Sequence, residues 1–173
     1  MKRNAYLLIL FVAAIFAGCK KDKIEYSNEF DKSFKAWTDF KSASNNSYRY
    51  TTVTGSWTGY ATETTISVLN GKVIARSYIA RGRKADQTTV VVLEQWEEDV
   101  NTLNTHDNGA SLLTLDQIYE LAKNDLLLKR ADVSTSFESK NSGLISAVGY
   151  VPDGCQDDCF RGINIKSISK YVP

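Results

Sequence analysis

A single histidine, His106, serves a chain of 173 residues. Zinc is held mainly by histidine and cysteine thiolate. The Cys155 and Cys159 pair lies in another segment from His106, so no zinc spacing is formed. No Gly-x-Ser-x-Gly and no His-Glu-x-x-His occurs, which removes the nucleophile elbow and the zincin helix. An excess of one charge is lacking as well, with 21 basic against 20 acidic residues. A nucleic-acid binder carries a basic excess, so no nucleic-acid partner is expected. Nor is there a stretch of about 20 apolar residues, the length that crosses ~30 Å of hydrocarbon. Apolar content is ordinary at 43%, which excludes a chain too polar to fold.

The longest apolar run, residues 5–17, follows Lys2 and Arg3 and has the length and order of a signal-peptide core. It closes on Phe16-Ala17-Gly18-Cys19, which resembles a bacterial lipobox. The resemblance implies cleavage after Gly18 and lipidation of Cys19. Each buried CH₂ contributes about 0.8 kcal/mol, so one acyl chain such as palmitate holds marginally and two hold stably. Residues 1–18 are therefore expected to be a lipoprotein signal peptide, 19–26 a tether and 27–173 a single α+β domain. Removing 18 of 173 residues leaves 155, enough for one real core. Loss of Lys2 and Arg3 leaves 19 basic and 20 acidic residues. The expected place is the cell envelope, lipid-anchored to the outer membrane on its periplasmic or surface face. Lys20-Lys21-Asp22-Lys23 half resembles the surface-export signal of some Bacteroidota lipoproteins. With Cys19 assigned to lipid, Cys155 and Cys159 are an even pair in an oxidising compartment and are expected to form a disulfide.

Phe30, Phe34 and Trp37 follow helical spacing after the capping candidates Ser27 and Asn28, which predicts an amphipathic helix of about 15 residues. A β-rich block follows, with strands over 48–54, 62–69, 72–79 and 88–96. Asn70-Gly71 between two of them is a hairpin signal, because a type I′ turn needs positive φ at both central residues. The Thr88–Trp96 strand reads as mostly buried. Thr114-Leu115-Asp116-Gln117 matches a capping box and opens a second amphipathic helix of about 13 residues. Strands over 132–138, 144–151 and 160–171 complete the chain. Strands in runs, not alternating with helices, indicate α+β with an antiparallel sheet and two amphipathic helices, in the order helix, four strands, helix, three strands.

Trp37, Tyr48-x-Tyr50, Ile66-x-Val68-x-Asn70-Gly71-x-Val73, Thr114-Leu115-Asp116, Phe137, Gly143-Leu144-Ile145-Ser146 and Asp157-Asp158 together resemble a family of small bacterial lipoproteins defined by a domain of unknown function. The likeness spans about residues 30–170 and implies the fold. It implies no activity, and none of these motifs is catalytic.

Several clusters could carry chemistry. Asp153, Asp157 and Asp158 flank the cysteine pair and could hold calcium, though without the alternating ligands of an EF-hand. A redox role for Cys155 and Cys159 fits poorly, because the spacing is Cys-x₃-Cys and neighbouring acids raise a thiol pKa. His106 beside Asp107 could act as a base. Glu94, Glu97 and Glu98 could supply the carboxylate pair of a glycoside hydrolase. Arg76, Arg81, Arg83 and Lys84 could receive an anionic partner. Trp57 and Tyr60 could form an exposed aromatic patch, although folding back onto the core is the expected fate. No cofactor is implied. The reading that follows is a lipid-anchored, non-catalytic binding or interaction module, with the membrane reached through Cys19 and an envelope protein as partner. The alternative is an envelope hydrolase or a small-ligand or ion-binding protein.

Overall fold

The computed structural model describes residues 23–86 and 88–172. The leader 1–18 and Cys19 lie outside the described residues. Helix α1 spans Ser27–Ala43, and strands β1 to β4 span Tyr48–Gly55, Ala61–Leu69, Lys72–Arg83 and Val90–Glu98. Helix α2 spans Leu115–Leu121 and runs into a π-helical turn, Ala122–Leu126. Strands β5 to β7 span Val133–Glu138, Ala147–Pro152 and Arg161–Lys170. The seven strands form one antiparallel sheet in the order β4-β3-β2-β1-β7-β6-β5, so the architecture is mixed α+β.

Alternation along the strands sorts the sheet into two faces. Tyr48, Tyr50, Ile66 and Val68 point to the covered face and are buried against Phe30 and Trp37 of α1 and Leu115, Ile118 and Tyr119 of α2. The opposite face is polar. There Arg49 donates to Ser67 Oγ at 3.0 Å, and Glu63 accepts from Lys166 at 2.9 Å and Arg81 at 3.3 Å.

Local signals explain the element ends. Asn70 and Gly71 have φ of 50° and 78°, as the tight β2–β3 hairpin requires. At α2, Thr114 and Gln117 form both bonds of a capping box. One further N-terminal donor of that helix, the Leu115 N–H, is satisfied by the buried Tyr48 hydroxyl at 2.8 Å.

Four expectations need correcting. The second helix is α-helical for 7 residues only. Leu127 N–H then reaches back to Ala122 O at 2.9 Å, and this wider turn sends both Leu126 and Leu127 into the core. The strand expected from Leu144 starts at Ala147, because Ile145 N–H is taken by the Tyr119 hydroxyl at 3.2 Å. β4 is the sheet's edge, and Val90, Val92 and Leu93 are 57%, 53% and 58% exposed rather than buried. Finally, the chain joins the fold inside the stretch read as tether. Ile24 bridges Leu128, and Glu25 N–H donates to Leu127 O at 2.7 Å.

Candidate functional site

β1 and β7 are neighbours for only half their length. They pair from Tyr48↔Lys170 to Thr52↔Ile165, with a register shift at Thr51/Thr52. The first half of β7 instead pairs with β6, from Ala147↔Asn164 to Tyr150↔Arg161. Beyond Thr52 the strands part and leave a cleft of about 350 Å³ on the covered face. One wall is Thr52-Val53-Thr54 of β1 and the other is Gly162-Ile163-Asn164 of β7. Ile118 and Leu121 of α2 and Leu113 of the preceding loop give it an apolar lining, with Tyr50 between them. The volume falls in the range of small-molecule sites, and the mix of apolar lining with a few hydroxyl and amide groups is typical of them.

The cleft needs the 99–113 loop held down, and a buried ion pair does this. Arg76 of β3 is 4% exposed and Glu98 of β4 is 2% exposed. Arg76 Nε and Nη2 donate to the two Glu98 oxygens, each at 2.9 Å. The remaining Arg76 donors reach the loop carbonyls of His106 at 2.9 Å and Ala110 at 3.1 Å. Glu98 accepts in return from the backbone N–H groups of His106 at 2.9 Å and Asn104 at 3.0 Å. The Arg76 guanidinium, helped by these N–H groups, holds the Glu98 carboxyl well below the usual carboxylate range despite its desolvation. The His106 ring stacks on Trp96 at 4.2 Å, and Trp96 stacks on Tyr78 at 5.1 Å. Burial, together with the Tyr60 hydroxyl 3.2 Å away, pushes the Tyr78 hydroxyl up to about 12. A Cβ at Gly109 would come within 3.4 Å of Trp96, Tyr78 and Thr64, so its absence lets the loop close over the sheet.

Past Thr54 of the cleft wall, β1 ends at Gly55 and runs into the 56–60 turn. Trp57 stands there 80% exposed, with Tyr60 also exposed. Trp57 does not fold back onto the core, whereas Tyr60 keeps its hydroxyl 3.2 Å from that of the buried Tyr78. Ser56 Oγ donates to Asp158 Oδ2 at 3.0 Å, so this turn leans on the 153–159 loop. Cys155 and Cys159 close that loop at disulfide distance, with Cα atoms 6.1 Å apart.

The remaining candidates do not converge. Glu94 and Glu98 share the covered face while Glu97 sits on the other, as their partners Ala80, Arg76 and Ser77 show. Glu94 is held by the Asn108 amide at 3.0 Å. Glu98 is saturated by Arg76 and the loop, which disqualifies it as a general acid. His106 is no free loop histidine, since its Nδ1 lies 3.1 Å from Glu98 Oε1. The basic cluster disperses. Arg76 is buried, Arg81 turns to Glu63, Arg83 lies against Gly59 and Lys84 is exposed. Asp153 accepts from Ser134 at 3.4 Å and Asp158 from Ser56, and among the described residues no group of three acids, histidines or cysteines could hold a metal.

No protein-family model, no curated protein and no solved structure matches this chain.

Sequence reasoning missed the cleft. Tyr50, Leu113, Ile118 and Ile163 carry the same apolar signal whether they fill a core or line an opening. It also missed Glu98 as the partner of Arg76, since nothing distinguishes it from the neighbouring Glu97.

Proposed function

We propose that this protein is a lipid-anchored binding module of the cell envelope, held to the outer membrane through lipidated Cys19. Its partner is an envelope protein, and an apolar side chain of that partner enters the cleft between β1 and β7 beside Trp57. The observation that carries this reading is Trp57 itself, an indole 80% exposed in the turn that follows the Thr52–Thr54 wall of an apolar-lined cleft. Tryptophan is enriched among the residues that dominate binding energy, and it contributes by being desolvated against a partner pocket. The disulfide loop behind Ser56 braces the turn, which lowers the conformational cost of docking.

Two experiments test the two halves of this reading. Cys19→Ala is expected to abolish acyl labelling and move the protein from the membrane fraction to the soluble one; unchanged labelling sinks the anchor. A photo-crosslinking residue at the exposed position 58, which leaves Trp57 in place, is expected to give one protein adduct in intact cells carrying the full, lipidated chain. The same residue at position 32, on the exposed side of α1, gives none. Equal adducts from both sites, or none from position 58, would overturn the binding surface. With the partner in hand, Trp57→Ala should weaken the complex by about 2 kcal/mol or more.

A further inference from the structure

The two edges of the sheet are not alike. At β5 the Tyr26 hydroxyl donates to Thr135 O at 3.1 Å, so the N-terminus of α1 screens that edge. β4 bonds only to β3, and between Val90 and Glu97 its far edge has no other backbone partner among the described residues. A bare, partly apolar edge is a template for another strand. Val90, Val92 and Leu93 supply the apolar part.

The order of side chains along β4 indicates which strand fits. Pairing with β3 puts Val90, Val92, Gln95 and Glu97 on the open face, opposite Arg83, Arg81, Ile79 and Ser77. Val91, Glu94 and Trp96 lie on the covered face, opposite Gly82, Ala80 and Tyr78. Leu93 is the extra residue of a bulge and lies over Gly82, on the covered face too. Residues opposite each other in an antiparallel pair share a face. When β4 is laid antiparallel against a copy of itself, one register keeps every pair from Val90 to Glu97 matched in face. Val90 stands opposite Glu97, Val91 opposite Trp96, Val92 opposite Gln95, and Leu93 opposite Glu94. The bulge, which would disturb pairing with an unrelated strand, falls at the two-fold axis and meets its own copy.

Arg83 is the cross-strand neighbour of Val90 on the open face. The second copy would place its Glu97 on the far side of the same valine, while the Arg83 side chain leans the other way, over Gly59, so the register sets no like charges opposite each other. Val91 against Trp96 is an aromatic and β-branched cross-strand pair, also made twice. We infer that two copies of this chain associate through β4, antiparallel and in the Val92-opposite-Gln95 register, to form an isologous dimer with a continuous sheet.

The test uses the full-length, lipidated protein in its own membranes. Val92→Cys with Gln95→Cys brings thiols opposite each other twice across the axis. Mild oxidation is expected to convert most of the protein to a covalent dimer that reductant splits. Val92→Cys alone and Gln95→Cys alone leave the thiols about 10 Å apart along the strands, beyond disulfide reach, and should stay single. Val92→Lys puts a strongly hydrated charge in the middle of the new edge pair and is expected to lower self-association about tenfold. These positions are exposed on the edge, so unchanged thermal unfolding of each variant confirms the fold. No dimer from the double cysteine variant, equal dimer from either single one, or linkage to a different protein would overturn the proposal. So would indifference to Val92→Lys.

Discussion

Arg76→Met is expected to destabilise the domain by about 3–5 kcal/mol, the cost of removing one partner from a buried ion pair. Domains of this kind are stable by only about 5–15 kcal/mol in total. The guanidinium gives both of its forked edges, two bonds to Glu98 and two to the carbonyls of His106 and Ala110. Methionine fills the volume and supplies none of the donors. Glu98 then remains 2% exposed with its charge uncompensated. Arg76→Lys should be costly too, because an ammonium cannot reproduce the planar fork. The double variant Arg76→Met with Glu98→Met is expected to recover most of the loss, since apolar replacement of a whole buried pair is often neutral. Urea unfolding midpoints at constant slope give each value. A loss under about 1 kcal/mol for Arg76→Met would show the pair to be dispensable.

The same pair sets an acid limit. Glu98 has a folded-state pKa well below its unfolded value of 4.5, mainly because of Arg76. A depressed carboxylate stabilises the fold above the unfolded pKa, and this contribution is lost as pH falls toward the folded pKa. Stability should therefore drop below about pH 4.5. In the Arg76→Met, Glu98→Met background that portion of the acid slope should flatten. Because Arg76 and Glu98 hold residues 104–110, the loop wall of the cleft should loosen with them, seen as faster amide exchange at Ala110 and Leu113.

What could be read in the sequence was what depends on neighbours along the chain. Asn70-Gly71 forms its turn through two adjacent φ angles, and Thr114 with Gln117 closes a box three residues wide. The cysteine pair, four residues apart, is at bonding distance. The mixed α+β class with an antiparallel sheet follows from such local signals taken together. What could not be read depends on which distant strands meet. Val90-Val91-Val92-Leu93 has the composition of a central strand, and only the sheet order places it at an edge. The cleft exists because β7 changes partner midway, leaving β1 at Thr52 to pair with β6 from Asn164. That exchange joins segments more than a hundred residues apart, and no residue of β1 announces it. Arg76 looked like one of four exposed cations. Its burial follows from lying on the face shared with Ile66 and Tyr78, which alternation across β3 fixes only once the register is known.

Trp37→Ala should be the most damaging apolar truncation, at about 3–5 kcal/mol. Trp37 is fully buried and is where α1, α2 and the sheet meet. Its ring stacks on Tyr119 of α2 at 6.2 Å and meets Tyr48 of β1 edge-on at 5.2 Å. Its Nε1 donates to Asp116 at 2.9 Å, and Lys41 pairs with the same carboxylate at 2.7 Å. Tyr119 in turn donates to Ser33 O at 3.0 Å, so the two helices are tied at both ends of one aromatic layer. Removing the indole opens a cavity that this bonded layer cannot collapse into, which is the case where truncation costs most. Trp37→Phe separates the contributions. It keeps a ring in the layer and removes the donor to Asp116, which Lys41 still satisfies, so the expected loss is about 1–3 kcal/mol. The cleft responds as well, because α2 supplies Ile118 and Leu121 to its lining and is seated on Trp37 through Tyr119. In Trp37→Ala the adduct from position 58 should weaken together with stability, whereas in Trp57→Ala binding should fall with the unfolding midpoint unchanged. Partner binding that survives Trp37→Ala at full strength would mean that the Trp57 turn, and not the cleft, carries recognition.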